Sequence, residues 1–313
     1  MDEKEIYSLV ALLDDNDQEV LEHVESKLFS LGTSIIPLLE LQSNELSNSQ
    51  QKERLKRVIH NLHYAQLLKE LKTWFNTPEH DLITGVCLIA RYRYPKLNPQ
   101  DIINQIDQLR LDIWLDMHYE LSPYEKVKVI NNVLYNEAGF KGNLANYHAP
   151  ENSFINDVLA SKKGNPIMLA VVFILIGQRL HLPIFGVNLP QHFVCAYKEE
   201  KAELLTNDPF NFKSKPDYRE GRVLFYINPY NKGAVFSKAN LELFIKQLKI
   251  TPQPDYYEAC SNLSIIKRIL RNLVVSYEKQ KDTHEANEVK DMLLALGESY
   301  FSYNEESQSE EEE

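Results

Sequence analysis

Apolar residues recur at three- and four-residue spacing along most of the chain. Ile6, Leu9, Val10 and Leu13 form one series, and Val20, Val24, Leu28 and Leu31 form a second beyond Asp14-Asp15-Asn16-Asp17. Such positions share one helix face, so residues 5–41 are predicted to be an amphipathic helix pair. Gly32 stands where a helix C-terminus is expected, and Ile35-Ile36-Pro37-Leu38-Leu39 follows it. Ser43 to Ser49 has the composition of a polar linker. Helical spacing resumes from Gln51 through Trp74 and again through Leu88-Ile89-Ala90-Arg91. Two further starts are marked by their caps. Asn98-Pro99-Gln100-Asp101 places a cap, a proline at the first helical position and a carboxylate at the third; Ser122-Pro123-Tyr124-Glu125 is a full capping box.

The pattern then changes. Gly139 to Ser153 is rich in Gly, Asn, Pro and Ser. Asn165 can cap a helix and Pro166 fits its first position, so the apolar run Ile167 to Ile176 is predicted as a helix buried on all sides. Three strand candidates follow, Ile184 to Asn188, His192 to Tyr197 and Val223 to Ile227, each rich in β-branched or aromatic residues. Lys198 to Gly221 is a long polar connection, and its Phe210, Phe212 and Tyr218 are candidate groove or anchor residues. Ile265, Ile266, Ile269, Leu270, Leu273, Val274 and Tyr277 predict a helix; Ala286, Val289, Met292, Leu293 and Leu296 predict its partner across Lys281-Asp282-Thr283. The fold class expected is α+β and mostly helical, with a small antiparallel sheet.

Composition narrows the partners. A net charge of −11 disfavours nucleic acid and anionic membrane, which both attract basic surfaces. Part of that charge lies in Glu305 to Glu313, a segment without an apolar residue that is expected to be disordered. The charged start Met1 to Glu5 does not resemble a secretory signal. The longest apolar run has half the ~20 residues of a spanning helix, so no membrane insertion is expected. Cys87, Cys195 and Cys260 are scattered, as free thiols of a reducing compartment are, which makes the cytoplasm the expected location. No cofactor is expected. Among nine histidines only His60 and His63 are close, and with no neighbouring carboxylate or cysteine in sequence they read as a solvated helix face rather than metal ligands.

Several short motifs occur in order: Asn152-Ser153-Phe154, Val158-Leu159, Gly164-Asn165-Pro166-Ile167, Leu182-Pro183, Gly186-Val187, Pro190-Gln191-His192-Phe193 and Asn228-Pro229-Tyr230-Asn231-Lys232-Gly233. With their flanks they resemble the SirB-type branch of the transglutaminase-like superfamily over roughly residues 75–298. The resemblance implies a papain/transglutaminase-like core at 151–235 between helical regions. Residues 1–50 would form a helical hairpin, HEAT-like or ordinary, and 51–150 a helical region. Residues 236–300 would form a hairpin resembling a tetratricopeptide unit, followed by the acidic tail at 301–313.

Enzymes of this superfamily use a Cys–His–Asp arrangement, in which a helix N-terminus and a nearby imidazolium lower the thiol pKa. Matching the motifs puts Pro166, or Ile167 beside it, where that cysteine opens the helix; neither is a nucleophile. His192 matches the histidine, and Asn228 stands where aspartate is usual. Asp208-Pro209 imitates the end-of-strand motif but lacks a preceding apolar strand. Cys195 is an odd offset from His192 on one strand and so should face away from it. The chain is therefore expected to be a non-catalytic scaffold that binds a protein or peptide in a cleft of Asn152, Ser153, Asn165, Gln191, His192 and Asn228. The alternative is a cysteine-less hydrolase or acyltransferase in which His192 activates Ser153 or Ser161.

Overall fold

A computed structural model describes residues 3–118, 120–199 and 221–298. The predicted connection 198–221, with Asp208-Pro209 and its three aromatics, and the acidic tail lie almost wholly outside the described residues.

The first helices are α1 (Glu3–Leu12), α2 (Gln18–Ser30) and α3 (Ile36–Glu45), the last two joined through a short 3-10 turn at Thr33–Ile35. The pattern had predicted only a pair. Pro37 looks like a breaker, yet it lies in the first turn of α3, where its missing N–H is harmless. The expected linker 43–49 shrinks accordingly, because residues 43–45 complete α3 and Gln42 and Ser43 are buried. Helix α4 (Ser49–Phe75) is 27 residues long, about 40 Å. Its N-terminal half closes a core with α1–α3 through Leu55, Val58 and Leu62. Its C-terminal half supplies Leu67, Leu71 and Trp74 to the main core.

Helices α5 (Leu82–Arg93), α6 (Pro99–Leu115) and α7 (Pro123–Asn131) follow. Asn98 caps α6, and Ser122 and Glu125 form the capping box of α7, as their spacing predicts. A π-helical turn, Asn132–Glu137, continues α7. Two short parallel strands, β1 (Lys141–Gly142) and β2 (Lys163–Gly164), flank α8 (Ile155–Ser161).

Helix α9 (Pro166–Arg179) is the centre of the molecule. Every residue from Ile167 to Gly177 is buried, in keeping with its lack of a polar face. An antiparallel sheet lies beside it in the order β3 (Ile184–Leu189), β4 (His192–Lys198), β5 (Val223–Asn228) and β6 (Ala234–Phe236). Gly186 pairs with Cys195, Cys195 with Ile227, and Ile227 with Val235. Strand β6, three residues long, is too short to announce itself by alternation. One sheet face, with Phe193, Cys195, Tyr197 and Ile227, joins the main core around α9. The other face, with Val187, Leu189, Val194, Ala196 and Tyr226, packs on α10 (Lys238–Gln247) through Leu241 and Ile245. The C-terminal helices α11 (Asn262–Gln280) and α12 (Thr283–Ala295) turn at Lys281 and bury their apolar stripes in the main core. The α+β, mostly helical class holds.

Candidate functional site

The head of α9 is built from side-chain amides. Asn165 Oδ1 accepts from the Met168 N–H at 3.0 Å, capping the helix, while its Nδ2 donates to Ser153 Oγ at 2.9 Å. Asn152 Oδ1 accepts from Asn143 Nδ2 at 2.8 Å, and its own Nδ2 donates to the carbonyls of Asn146 and Tyr147. The irregular stretch 143–153 cannot satisfy its backbone in a regular ladder, so buried amides supply the partners. Asn152, Ser153 and Asn165 are 3 %, 1 % and 7 % exposed. Pro166 is half-buried and Ile167 buried. The Tyr230 ring lies directly over Gly142, where no Cβ would fit. The helix head is thus closed by hydrogen-bonded and aromatic groups.

Gln191 and His192 stand apart, whereas Asn228 caps the turn whose Tyr230 covers the helix head. Gln191 takes a left-handed conformation (φ 60°) in the β3–β4 turn. His192 opens β4 with its ring edge-on to Phe244 of α10, centroids 4.7 Å apart. Alternation explains this: His192 shares its face with Val194 and Ala196, whereas α9 packs on the face of Phe193 and Cys195. Asn228 Oδ1 accepts from the N–H groups of Tyr230 and Asn231, capping the turn after β5. Ser153 Oγ is engaged by Asn165, and Ser161 Oγ bonds the backbone of Lys163. The fold therefore gathers Asn152, Ser153, Asn165 and Pro166 at the α9 head, and turns the His192 ring to the opposite sheet face.

Of the three free thiols, Cys87 and Cys195 are buried and Cys260 is partly buried. Cys195 is fully buried, its Sγ 4.0 Å from the Ala170 carbonyl of α9. Burial raises all three thiol pKa values: Cys87 to about 11, Cys260 to about 12 and Cys195 well above the ordinary range. The reactive species is the thiolate, which is then negligible at neutral pH. With native protein at pH 8, a disulfide reagent such as DTNB is expected to give no fast phase. Three thiols should titrate once denaturant is added. One rapidly reacting thiol in the native state would contradict this.

Two features were not legible from neighbouring residues. A groove of ≈ 340 Å³ opens at the far end of α9, lined by Arg110, Trp114, Met117, Lys126, Arg179 and Leu182 among others. Trp114 is 56 % exposed there. The second corrects the view of His60 as a bare helix face. His60 Nε2 lies 2.8 Å from Glu288 Oε1, a carboxylate 228 positions away that only the packing of α12 on α4 brings near. Burial alone would raise the Glu288 pKa, but hydrogen bonds from His60 and Tyr92 outweigh it and hold the carboxyl below its ordinary value.

The family described as "Transglutaminase-like superfamily" matches residues 100–271. A UPF0162 protein of Xylella fastidiosa (strain 9a5c) is 31 % identical over 220 residues, covering 69 % of this chain and 71 % of that one. The UPF0162 protein YchA of Escherichia coli (strain K12) is 21 % identical over 208 residues, 66 % of this chain and 70 % of its own. F-box only protein 21 of Homo sapiens is 24 % identical over 244 residues, 70 % of this chain and only 36 % of that protein. No solved structure matches the chain. The family match, which takes in α6 to α9, the sheet and half of α11, shows that the chain belongs to the transglutaminase-like superfamily.

Proposed function

We propose that this protein is a non-catalytic member of the superfamily that binds an acidic protein or peptide segment. The observation that supports the reading is the head of α9, where Pro166 and Ile167 carry no nucleophile and buried amides close the surface. An enzyme of this kind needs a thiolate there and an imidazole on the same side of the sheet. The accessible recess lies at the other end of the helix. Its Arg110, Lys126 and Arg179 offer positive charge, and Trp114, Met117, Leu180 and Leu182 offer apolar contact. Arg179 is engaged by Asp107 at 2.6 Å, whereas Arg110 and Lys126 form no ion pair among the described residues. An exposed tryptophan that lines one groove with Arg110 and Lys126 suits a segment that mixes carboxylates with an apolar anchor.

We place the chain in the SirB-type branch, with α11 and α12 as a tetratricopeptide-like unit and the cytoplasm as its location. No helix among the described residues is long and apolar enough to cross a membrane.

A panel of peptide amides and esters with an amine acceptor tests the absence of catalysis, and fluorescein-labelled acidic peptides test binding. No turnover above background is expected, in wild type or in His192→Ala. Affinity for the best peptide should fall at least tenfold in Lys126→Glu, because a repulsive charge replaces an attractive one. Turnover abolished by His192→Ala would overturn the reading.

A further inference from the structure

The best-formed cluster of potential ligands lies far from the α9 head. His60 on α4 and His284 and Glu288 on α12 present three ligand atoms within 4.8 Å of one another. His284 and Glu288 are four residues apart and so share a helix face, the spacing that lets one helix give two ligands to one ion. His60 Nε2 is 2.8 Å from Glu288 Oε1, and His284 Nε2 is 3.7 Å from the same oxygen. Tetrahedral zinc with bonds of about 2.0–2.1 Å needs ligand atoms about 3.4 Å apart. The two separations bracket that value and the His60–His284 pair lies within 4.8 Å, so side-chain rotations could bring the three atoms to that geometry.

The surroundings hold the carboxylate and the His60 ring in place. Tyr92 Oη donates to Glu288 Oε2 at 2.7 Å, orienting the carboxylate as outer-shell donors do. Tyr64 Oη donates to the Glu288 carbonyl, and its ring stacks parallel to His60 with 4° between planes. Glu288 is held in place by these contacts, with a side chain 9 % exposed. His284, at 69 %, faces solvent and leaves a path for an ion and a water as fourth ligand.

We propose that His60, His284 and Glu288 form a binding site for a divalent transition cation, zinc in particular. Two imidazoles and one carboxylate suit zinc and its borderline neighbours, and disfavour calcium or magnesium, which take oxygen ligands. Binding would tie α12 to α4, clamping the C-terminal hairpin onto the long helix that joins both cores. The site is independent of the groove and of any chemistry at the α9 head.

The test uses the full chain, stripped with chelator and titrated with ZnCl2 or CoCl2 alone. One equivalent should bind, cobalt should give the visible absorption of tetrahedral coordination, and zinc should raise the melting temperature. His284→Ala should keep the native circular dichroism, since its side chain is exposed, yet lose the absorption and weaken zinc binding at least tenfold. His60→Gln gives a second, independent removal of one ligand and should do the same. Failure of the wild type to bind, or binding that survives both substitutions, would overturn the proposal.

Discussion

Replacing Gly233 with alanine is expected to destabilise the protein by roughly 3–5 kcal/mol, read from urea unfolding as a lower midpoint at unchanged slope. Gly233 is buried and takes φ +67°, a region that strains any residue with a Cβ. That Cβ would also overlap the Asn131 carboxamide, whose Nδ2 donates to the Gly233 carbonyl at 2.8 Å. Neither partner can retreat cheaply, because Asn131 ends α7 while Gly233 closes the turn between β5 and β6. Removing the carboxamide as well, in Asn131→Ala/Gly233→Ala, relieves the overlap but leaves the backbone strain and an orphaned carbonyl. A double-mutant cycle should therefore show favourable coupling of about 1–2 kcal/mol. A loss below about 1 kcal/mol in the single variant would refute the account of this turn.

Asn165→Ala should cost about 2–4 kcal/mol in the same measurement. The side chain both caps α9 and satisfies Ser153, and both partners are buried, so water does not replace what is lost. Asn165→Asp keeps the acceptor for the Met168 N–H, and the Ser153 hydroxyl can turn to donate to it. A carboxylate at a helix N-terminus is favourable besides. The aspartate variant should recover more than half of the loss. Equal instability in the two variants would mean that the cap is not what holds the helix head.

Much of the fold was legible along the chain. The caps of α6, α7 and α9 are local chemistry: a short polar side chain, a proline at the first position and a free N–H within three residues. The apolar run 167–176 and its continuation to Leu180, too long for an ordinary strand, became the central helix, and the segments rich in β-branched and aromatic residues after it became β3, β4 and β5. Local reading failed where an element is short or its signal ambiguous. Strand β6 has three residues, and α3 was hidden by Pro37, a residue that both breaks and begins helices.

The candidate site divides along the same line. That Pro166 and Ile167 are no nucleophiles follows from residue identity alone, and so does the odd offset that separates Cys195 from His192. Which face His192 takes is a different matter. A strand's two faces are equivalent until something covers them, and only the placement of α9 and α10 distinguishes them. Likewise the motif residues Asn152, Ser153 and Asn165 occur in order, but their burial in side-chain hydrogen bonds depends on separate segments meeting at one helix end. His60 shows the limit most plainly. Its neighbours in sequence offer no carboxylate, because the one it meets is supplied by a helix at the far end of the chain. Sequence alone settled most of the elements, the caps of α6, α7 and α9, and the non-nucleophilic identity of Pro166 and Ile167, since these depend on residues within a turn or two. Tertiary packing decided which faces are open, where the groove lies and which distant side chains share one point in space.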